Sequence, residues 1–200
     1  VEEYRKIHKP IVALDRYLGE DIPVIAVNHK EGGRLAAKTL IDNGCRKVLH
    51  FRGKVTVESP YHDRHFEFAR IMKENGIFTY DYELDRNRLD SEYYKKAVKD
   101  VFAKGIEFDG VFGVDRPVIE CMNETIRRHR RVPEDVKFLA YDGTFITEMV
   151  EPSLTAIVQP IKELAKESVR LVCNLVNGKV YKNKRVSLEV ELRKGGSTIV

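Results

Sequence analysis

Several things are missing from this chain, and each absence closes off a class of function. No apolar run approaches the roughly 20 residues that a membrane-spanning helix needs, so no membrane partner is expected. The opening VEEYRKIHKP lacks the basic-then-apolar layout of a secretory signal, which leaves a cytoplasmic setting as the expectation. Cysteine is scarce. Cys45, Cys121 and Cys173 are scattered and odd in number, without metal-ligand spacing, and read as buried reduced thiols. The histidines at 8, 29, 50, 62, 65 and 129 are equally scattered, so no metal site is expected. There is no phosphate-cradling glycine loop, nucleophile elbow, zinc-protease helix or dinucleotide fingerprint. Catalysis and a cofactor are therefore not expected. Low-complexity stretches, long linkers and internal repeats are absent too.

What is present describes an ordinary globule. Of the 200 residues, 42% are hydrophobic and 33% charged, enough to bury a proper core in one domain or two small lobes. The net charge of +4 is mild. The one dense basic run, Arg127 to Arg131, sits at the expected end of a helix, where cations suit the helix dipole, and Val132-Pro133 stops it. A nucleic-acid patch is the weaker reading of that run.

Strand and helix signals alternate almost from end to end. Strands are expected over 10–14, 24–27, 47–51, 79–83, 110–113, 136–140 and 154–158. Helices are expected over 31–42, 63–75, 91–103, 116–129 and from Pro160 to about 176, with Ser91 as an N-cap and Pro160 in a first turn. Val186 to Leu192, VSLEVEL, alternates with period two and reads as one edge strand. Such alternation predicts an α/β fold of βαβ units, with helices on both faces of a mainly parallel sheet.

The most informative stretch is Val132 to Lys162. Val136 to Tyr141 is a short apolar run that Asp142-Gly143 closes with a carboxylate at the C-terminal end of a strand, the edge where open α/β sheets bind ligands. Val132, Pro133, Asp135, Val136, Tyr141 and Asp142, followed by Pro152, Leu154, Thr155, Ile157, Gln159 and Pro160, resemble the effector-binding core of the LacI/GalR regulators. The Tyr141 to Thr144 sequence most resembles repressors of sucrose and related sugar operons.

The resemblance implies a two-lobed, periplasmic-binding-protein-like (type I) fold with ligand between the lobes. One lobe would comprise residues 1–27 plus 159–185, the other 28–158 plus 186–200. Family members carry a helix-turn-helix headpiece, a hinge helix and about two βα units ahead of the segment resembling Pro10 to Arg16. The chain is accordingly expected to be most of an effector domain with its first lobe truncated. A homodimer is implied, through helices such as 116–129 and the segment 144–150, as is operator DNA contacted only by the missing headpiece. The alternative is an exported solute-binding protein of related fold.

The same resemblance nominates site residues for a sugar or sugar phosphate. Asp142 matches the family's cleft aspartate, which takes two sugar hydroxyls. Arg64, with Phe68 as its aromatic, matches an R-x-x-G-F pattern in which Glu67 replaces the glycine, and its planar donor fork suits hydroxyls or carboxylates. Asp15 is a carboxylate at the end of the first strand, with Arg16 beside it. Asn28, at the first lobe crossover beside His29, and Gln159, at the second, are expected to meet ligand from the hinge. Tyr61, with His62, is a candidate stacking wall. Val114-Asp115 replaces a common Asn-Asp pair. The amide is lost at Val114, and Asp115 is expected to cap the following helix. Arg86 and Arg88, with Arg64 and Arg16, would make the cleft cationic enough for a sugar phosphate.

Overall fold

The computed structural model describes residues 3, 6, 9–55, 59–85, 87–179 and 185–198. Two sheets are present. β1 (Ala13–Leu14), β2 (Val24–Val27) and β8 (Arg185–Leu188) form a three-stranded parallel sheet in the order β1-β2-β8. The larger sheet contains β3 (Lys47–Gly53), β4 (Phe78–Leu84), β5 (Gly110–Val114), β6 (Lys137–Asp142), β7 (Thr155–Val158) and β9 (Glu191–Arg193). Its order is β4-β3-β5-β6-β7-β9, parallel throughout except for the last pair. The chain order reverses at β3, so a crevice opens beside β3 and β5 at their C-terminal ends.

Alternation along the central strands explains why helices cover both faces. Phe138, Ala140 and Val111 project into a core closed by α3 (Ser91–Ala103) and α4 (Asp115–Arg127). Their neighbours Leu139, Tyr141 and Phe112 project the other way, against α1 (His29–Asp42) and α2 (Asp63–Glu74). The last helix, α5 (Ile161–Val176), brings Leu164 to that second core and leaves Val169 63% exposed. Among the described residues, the three-stranded sheet has a small cluster of its own, Ala13, Ile22 and Val24, while Val27 of β2 joins the second core.

Four expectations need correcting. Val186 to Leu192 is not one strand: its first part pairs with β2, its last part with β7, and Val190 between them is buried. Residues 186–188 therefore pair with β2 in the smaller sheet, and the Leu188 carbonyl also accepts from the Asn28 amide. Ser91 is the first helical residue and Asp90 is the cap, its carboxylate accepting from the Tyr93 amide. α4 stops at Arg127 because His129 turns into the left-handed region (φ 59), the job a glycine usually does. Cys173 is exposed on α5, whereas Cys45 and Cys121 are buried; burial pushes the Cys45 thiol up to about 12. The basic run lies at the end of α4, with Arg127 and Arg128 paired to Glu124 and Arg131 to Asp135.

Candidate functional site

The parallel strands of both sheets deliver a side chain from their C-terminal ends into one cavity of about 420 Å³. Asp15 follows β1, His29 follows β2, and Phe51 and Gly53 end β3. Leu84 and Asp85 stand at the end of β4, Val114 and Asp115 at β5, Asp142 at β6 and Gln159 at β7. This is the strand edge where an open α/β sheet leaves its helix-free crevice.

Arg64 forms the floor. It is 1% exposed, and its guanidinium lies between two aromatic rings, 3.8 Å from the Tyr61 centroid and 4.1 Å from that of Tyr141. Nη1 donates to Asp142 Oδ1 at 3.2 Å, and Gln159 Nε2 donates to the same oxygen at 2.6 Å. Asp142 Oδ2 thus has no hydrogen bond from protein among the described residues, on a side chain 33% exposed to the cavity. Arg64 Nη2 is buried without a hydrogen-bond partner. A buried unsatisfied donor costs about 1–3 kcal/mol, so the arrangement is poised for an added acceptor.

The opposite side of the cavity carries Asp15 and His29. Asp15 Oδ1 accepts from the Val27 amide at 3.1 Å and lies 3.2 Å from His29 Nε2. His29 Nδ1 is 3.0 Å from the Tyr141 hydroxyl, and burial pushes that phenol's pKa up, keeping it protonated. With the hydroxyl donating to Nδ1, the imidazole presents Nε2–H towards Asp15. Asp15 (φ 47) and Asp142 (φ 103) are both non-glycine residues at positive φ. Such conformations cost of order 1–3 kcal/mol and cluster at ligand clamps.

Glycines permit the close approach of α1. A Cβ on Gly32 would come within 2.5 Å of the Tyr141 hydroxyl, and one on Gly33 within 2.3 Å of the Arg64 carbonyl oxygen. No other residue fits there without moving α1 off the helix that carries Arg64.

Asp115 behaves differently from the helix cap expected of it. It is the first residue of α4, and its carboxylate reaches across to β6. Oδ1 accepts from the Gly143 amide at 3.1 Å; Oδ2 accepts from the Thr144 amide at 2.8 Å and its hydroxyl at 2.6 Å. Burial outweighs these bonds, and the Asp142 charge adds to it, so the carboxyl is pushed up to about 6. Asp115 therefore pins the turn that aims Asp142.

Of the residues nominated from the sequence, Asp142, Arg64, Asp15, Gln159, Tyr61 and Val114 line the cavity. Tyr61 does so with its ring committed to Arg64. Asn28 does not reach the cavity: its oxygen caps α1 at the Glu31 amide, and its amide donates to Glu189. Arg88 turns away as well, lying over Tyr93 and 3.6 Å from Asp90. Arg16 is exposed and outside the lining, and Arg86 lies outside the described residues. Among the described residues, Arg64 is the one arginine of the expected cationic cleft that lines the cavity. Its carboxylates are Asp15, Asp85, Asp115 and Asp142, against the guanidiniums of Arg64 and Arg116. Leu89, Tyr94 and Ile146, which were not nominated, form an apolar wall, and Arg116 is tied to the Leu89 carbonyl at 2.6 Å. Leu89 and Ile146 follow strands β4 and β6, whereas Tyr94 stands in the first turn of α3.

Among the described residues, no helix is long and apolar enough to cross a membrane, and no cluster of metal-binding side chains is present.

Comparison with known proteins agrees with this layout. Residues 37–198 match the model of the periplasmic binding protein-like domain family. The ribose operon repressor of Halalkalibacterium halodurans is 30% identical over 96% of this chain and 57% of its own length. The sucrose operon repressor of Streptococcus mutans is 34% identical over 82% of this chain and 50% of its own. The chain thus spans about half the length of these repressors, which are regulators and not enzymes. A periplasmic binding protein/LacI transcriptional regulator from Alkaliphilus metalliredigens, solved with D-xylulofuranose, superposes with a TM-score of 0.88 at 28% identity. That superposition covers 100% of this chain and 74% of the other. The chain belongs to the periplasmic binding protein-like domain family, in the form carried by the LacI/GalR transcription regulators.

Proposed function

We propose that this chain is the ligand-sensing part of a cytoplasmic LacI-type repressor and that its effector is a neutral sugar bound between the two sheets. The observation that carries the reading is the floor of the cleft. An Arg64–Asp142–Gln159 cluster keeps one carboxylate oxygen free, faces an apolar wall, and is seated at the strand ends. A carboxylate with a fixed partner on one oxygen accepts from sugar hydroxyls on the other, while Leu89, Tyr94 and Ile146 suit the C–H face of a pyranose or furanose. The excess of carboxylates over guanidiniums disfavours a phosphate, so the neutral sugar is preferred to the sugar phosphate that Arg88 and Arg86 would have served.

In this proposal the three-stranded and six-stranded sheets belong to two lobes, with residues 186–188 assigned to the smaller by their pairing. Sugar contacting Asp15 on one side and Asp142 on the other favours one lobe orientation, a population shift passed to an operator-binding headpiece outside this chain. The protein works as a homodimer. Phe145 (72% exposed), Met149 (75%) and Ile126 (40%) on α4 and the loop after β6 supply the apolar surface for it. An exported solute-binding protein would use the same cleft as a monomer, and the operon-repressor relatives favour the regulator.

A thermal-shift screen tests the reading, because a ligand binding only the folded state adds about 2.7 kcal/mol at 100 times its dissociation constant. Ribose, sucrose or another neutral sugar should raise the melting temperature, and the corresponding sugar phosphates should do so less or not at all. Stabilisation by phosphates alone, or by no sugar, would overturn it.

A further inference from the structure

Behind the cleft floor runs a line of polar groups that the sugar contacts do not use. Arg64 Nε donates to His65 Nε2 at 3.4 Å. His65 Nδ1 lies 2.9 Å from His50 Nε2, and His50 Nδ1 lies 3.1 Å from Asp81 Oδ1. Arg52 Nε holds the other oxygen of Asp81 at 2.9 Å. The line starts in the cleft, passes through α2 and β3, and ends on β4, the edge strand of the large sheet.

Donor and acceptor chemistry gives this line one direction. An arginine Nε can only donate, so His65 Nε2 must accept. A neutral His65 then carries its proton on Nδ1 and gives it to His50 Nε2. His50 in turn carries its proton on Nδ1 and aims it at the Asp81 carboxylate. Charging either ring would set two N–H donors against one another at 2.9 Å or against the Arg64 guanidinium. Both rings are almost fully enclosed, His50 0% and His65 4% exposed. The groups around them are the cations Arg52 and Arg64, His62, and the rings of Tyr61, Phe68 and Phe112. Among the described residues, Asp81 is the anion that faces them. Burial lowers both imidazoles, His65 further with Arg64 beside it, whereas Asp81 partly offsets the effect on His50.

The line supplies something that stacking cannot. Tyr61 and Tyr141 hold the two faces of the guanidinium. The bonds of Nη1 to Asp142 and of Nε to His65 hold its edges. His65 is itself held by His50 and Asp81.

We propose that His65 and His50 are positioning residues for effector recognition, an ordered hydrogen-bond line from Asp81 that fixes the in-plane orientation of Arg64 and so the free oxygen of Asp142. The proposal rests on the sugar-sensing reading for what Arg64 and Asp142 recognise, but the line itself is testable without any ligand. Long-range proton–nitrogen NMR of the free chain at pH 7 should find both rings neutral and in the Nδ1–H tautomer, the less common one for a free imidazole. The Arg64 Nε–H should exchange slowly. His65→Leu should speed that exchange about tenfold or more, the loss of one charge-assisted hydrogen bond. His65→Gln, whose amide oxygen can accept where Nε2 did, should restore most of the protection. With the sugar that stabilises the wild type, the same two variants should show about tenfold weaker binding and near-recovery respectively. A ring in the Nε2–H tautomer, a charged ring at pH 7, or unchanged Arg64 exchange in His65→Leu would overturn the proposal. Should His65→Leu fail to fold, the wild-type tautomers still decide. A chain with the expected tautomers that binds no sugar would refute the sensing function and leave the positioning of Arg64 standing.

Discussion

The two sheets bring the same kind of group to the cleft but hold it with different stiffness. The six-stranded sheet is covered on both faces, and residues such as Phe112, Phe138 and Leu139 are 0% exposed. Arg64 and Asp142 are seated on that frame. Among the described residues, the three-stranded sheet's own cluster is Ala13, Ile22 and Val24, with Ile11, Tyr17, Leu18 and Ala26 only partly covered, although Ile25 and Val27 of β2 are buried as well. Asp15 is anchored there, and the Ser59 hydroxyl donates to its carbonyl oxygen from the segment before α2 at 2.7 Å. In the mechanism proposed above, recognition geometry would reside on the more deeply covered side, and a change of lobe angle would fall on the other.

That contrast can be broken or sharpened in four ways. Phe112→Ala in the large sheet should cost about 3–5 kcal/mol in chemical denaturation, while Ile22→Ala in the small cluster should cost about 1–2 kcal/mol. Equal losses would erase the difference in stiffness. The second concerns pH. The Asp115 pKa is raised to about 6 from an ordinary 3.8, so the folded state holds the proton more tightly than the unfolded one. Its stabilising contribution, at most about 3 kcal/mol, is fully present below pH ~4 and is lost as pH rises through about 6. Asp115→Asn should flatten the fall in stability between those values; an unchanged slope would contradict the shift. Third, Gly33→Ala should cost about 1–3 kcal/mol by overpacking and should weaken sugar binding through the displaced Arg64 backbone. Wild-type melting would show that α1 gives way freely. Last, Val169→Ser on the exposed face of α5 should change stability by less than about 0.5 kcal/mol. A larger loss would mean that another part of the protein covers that face.

Much of the fold was legible because its signals are local. Helical spacing of Leu35, Ala36 and Leu40, the stop at Asn43-Gly44 and the apolar run before Asp142 can be read one segment at a time. The break inside Val186 to Leu192 was not legible, because period two is the same whether the strand stays in one sheet or crosses to another. For the cavity lining, a carboxylate after a strand was enough to point to Asp15 and Asp142. Asn28 and Arg88 failed because nearby groups claimed them: the α1 N-terminus and Glu189 for one, Asp90 and Tyr93 for the other. Asp115 was seen as a local cap, but its partners lie 28 and 29 residues away. The histidine line joins residues on β3, α2 and β4 that only sheet register brings together, and scattered histidines carry no spacing that could announce it.

The central claim is that Asp142 on the stiff side holds the sugar. Calorimetric titration of the sugar found in the screen into wild type, Asp142→Asn and Asn28→Ala would test it most directly. The account predicts about a hundredfold loss of affinity, about 2.8 kcal/mol, for Asp142→Asn and wild-type affinity for Asn28→Ala. Wild-type affinity in a folded Asp142→Asn chain would contradict it.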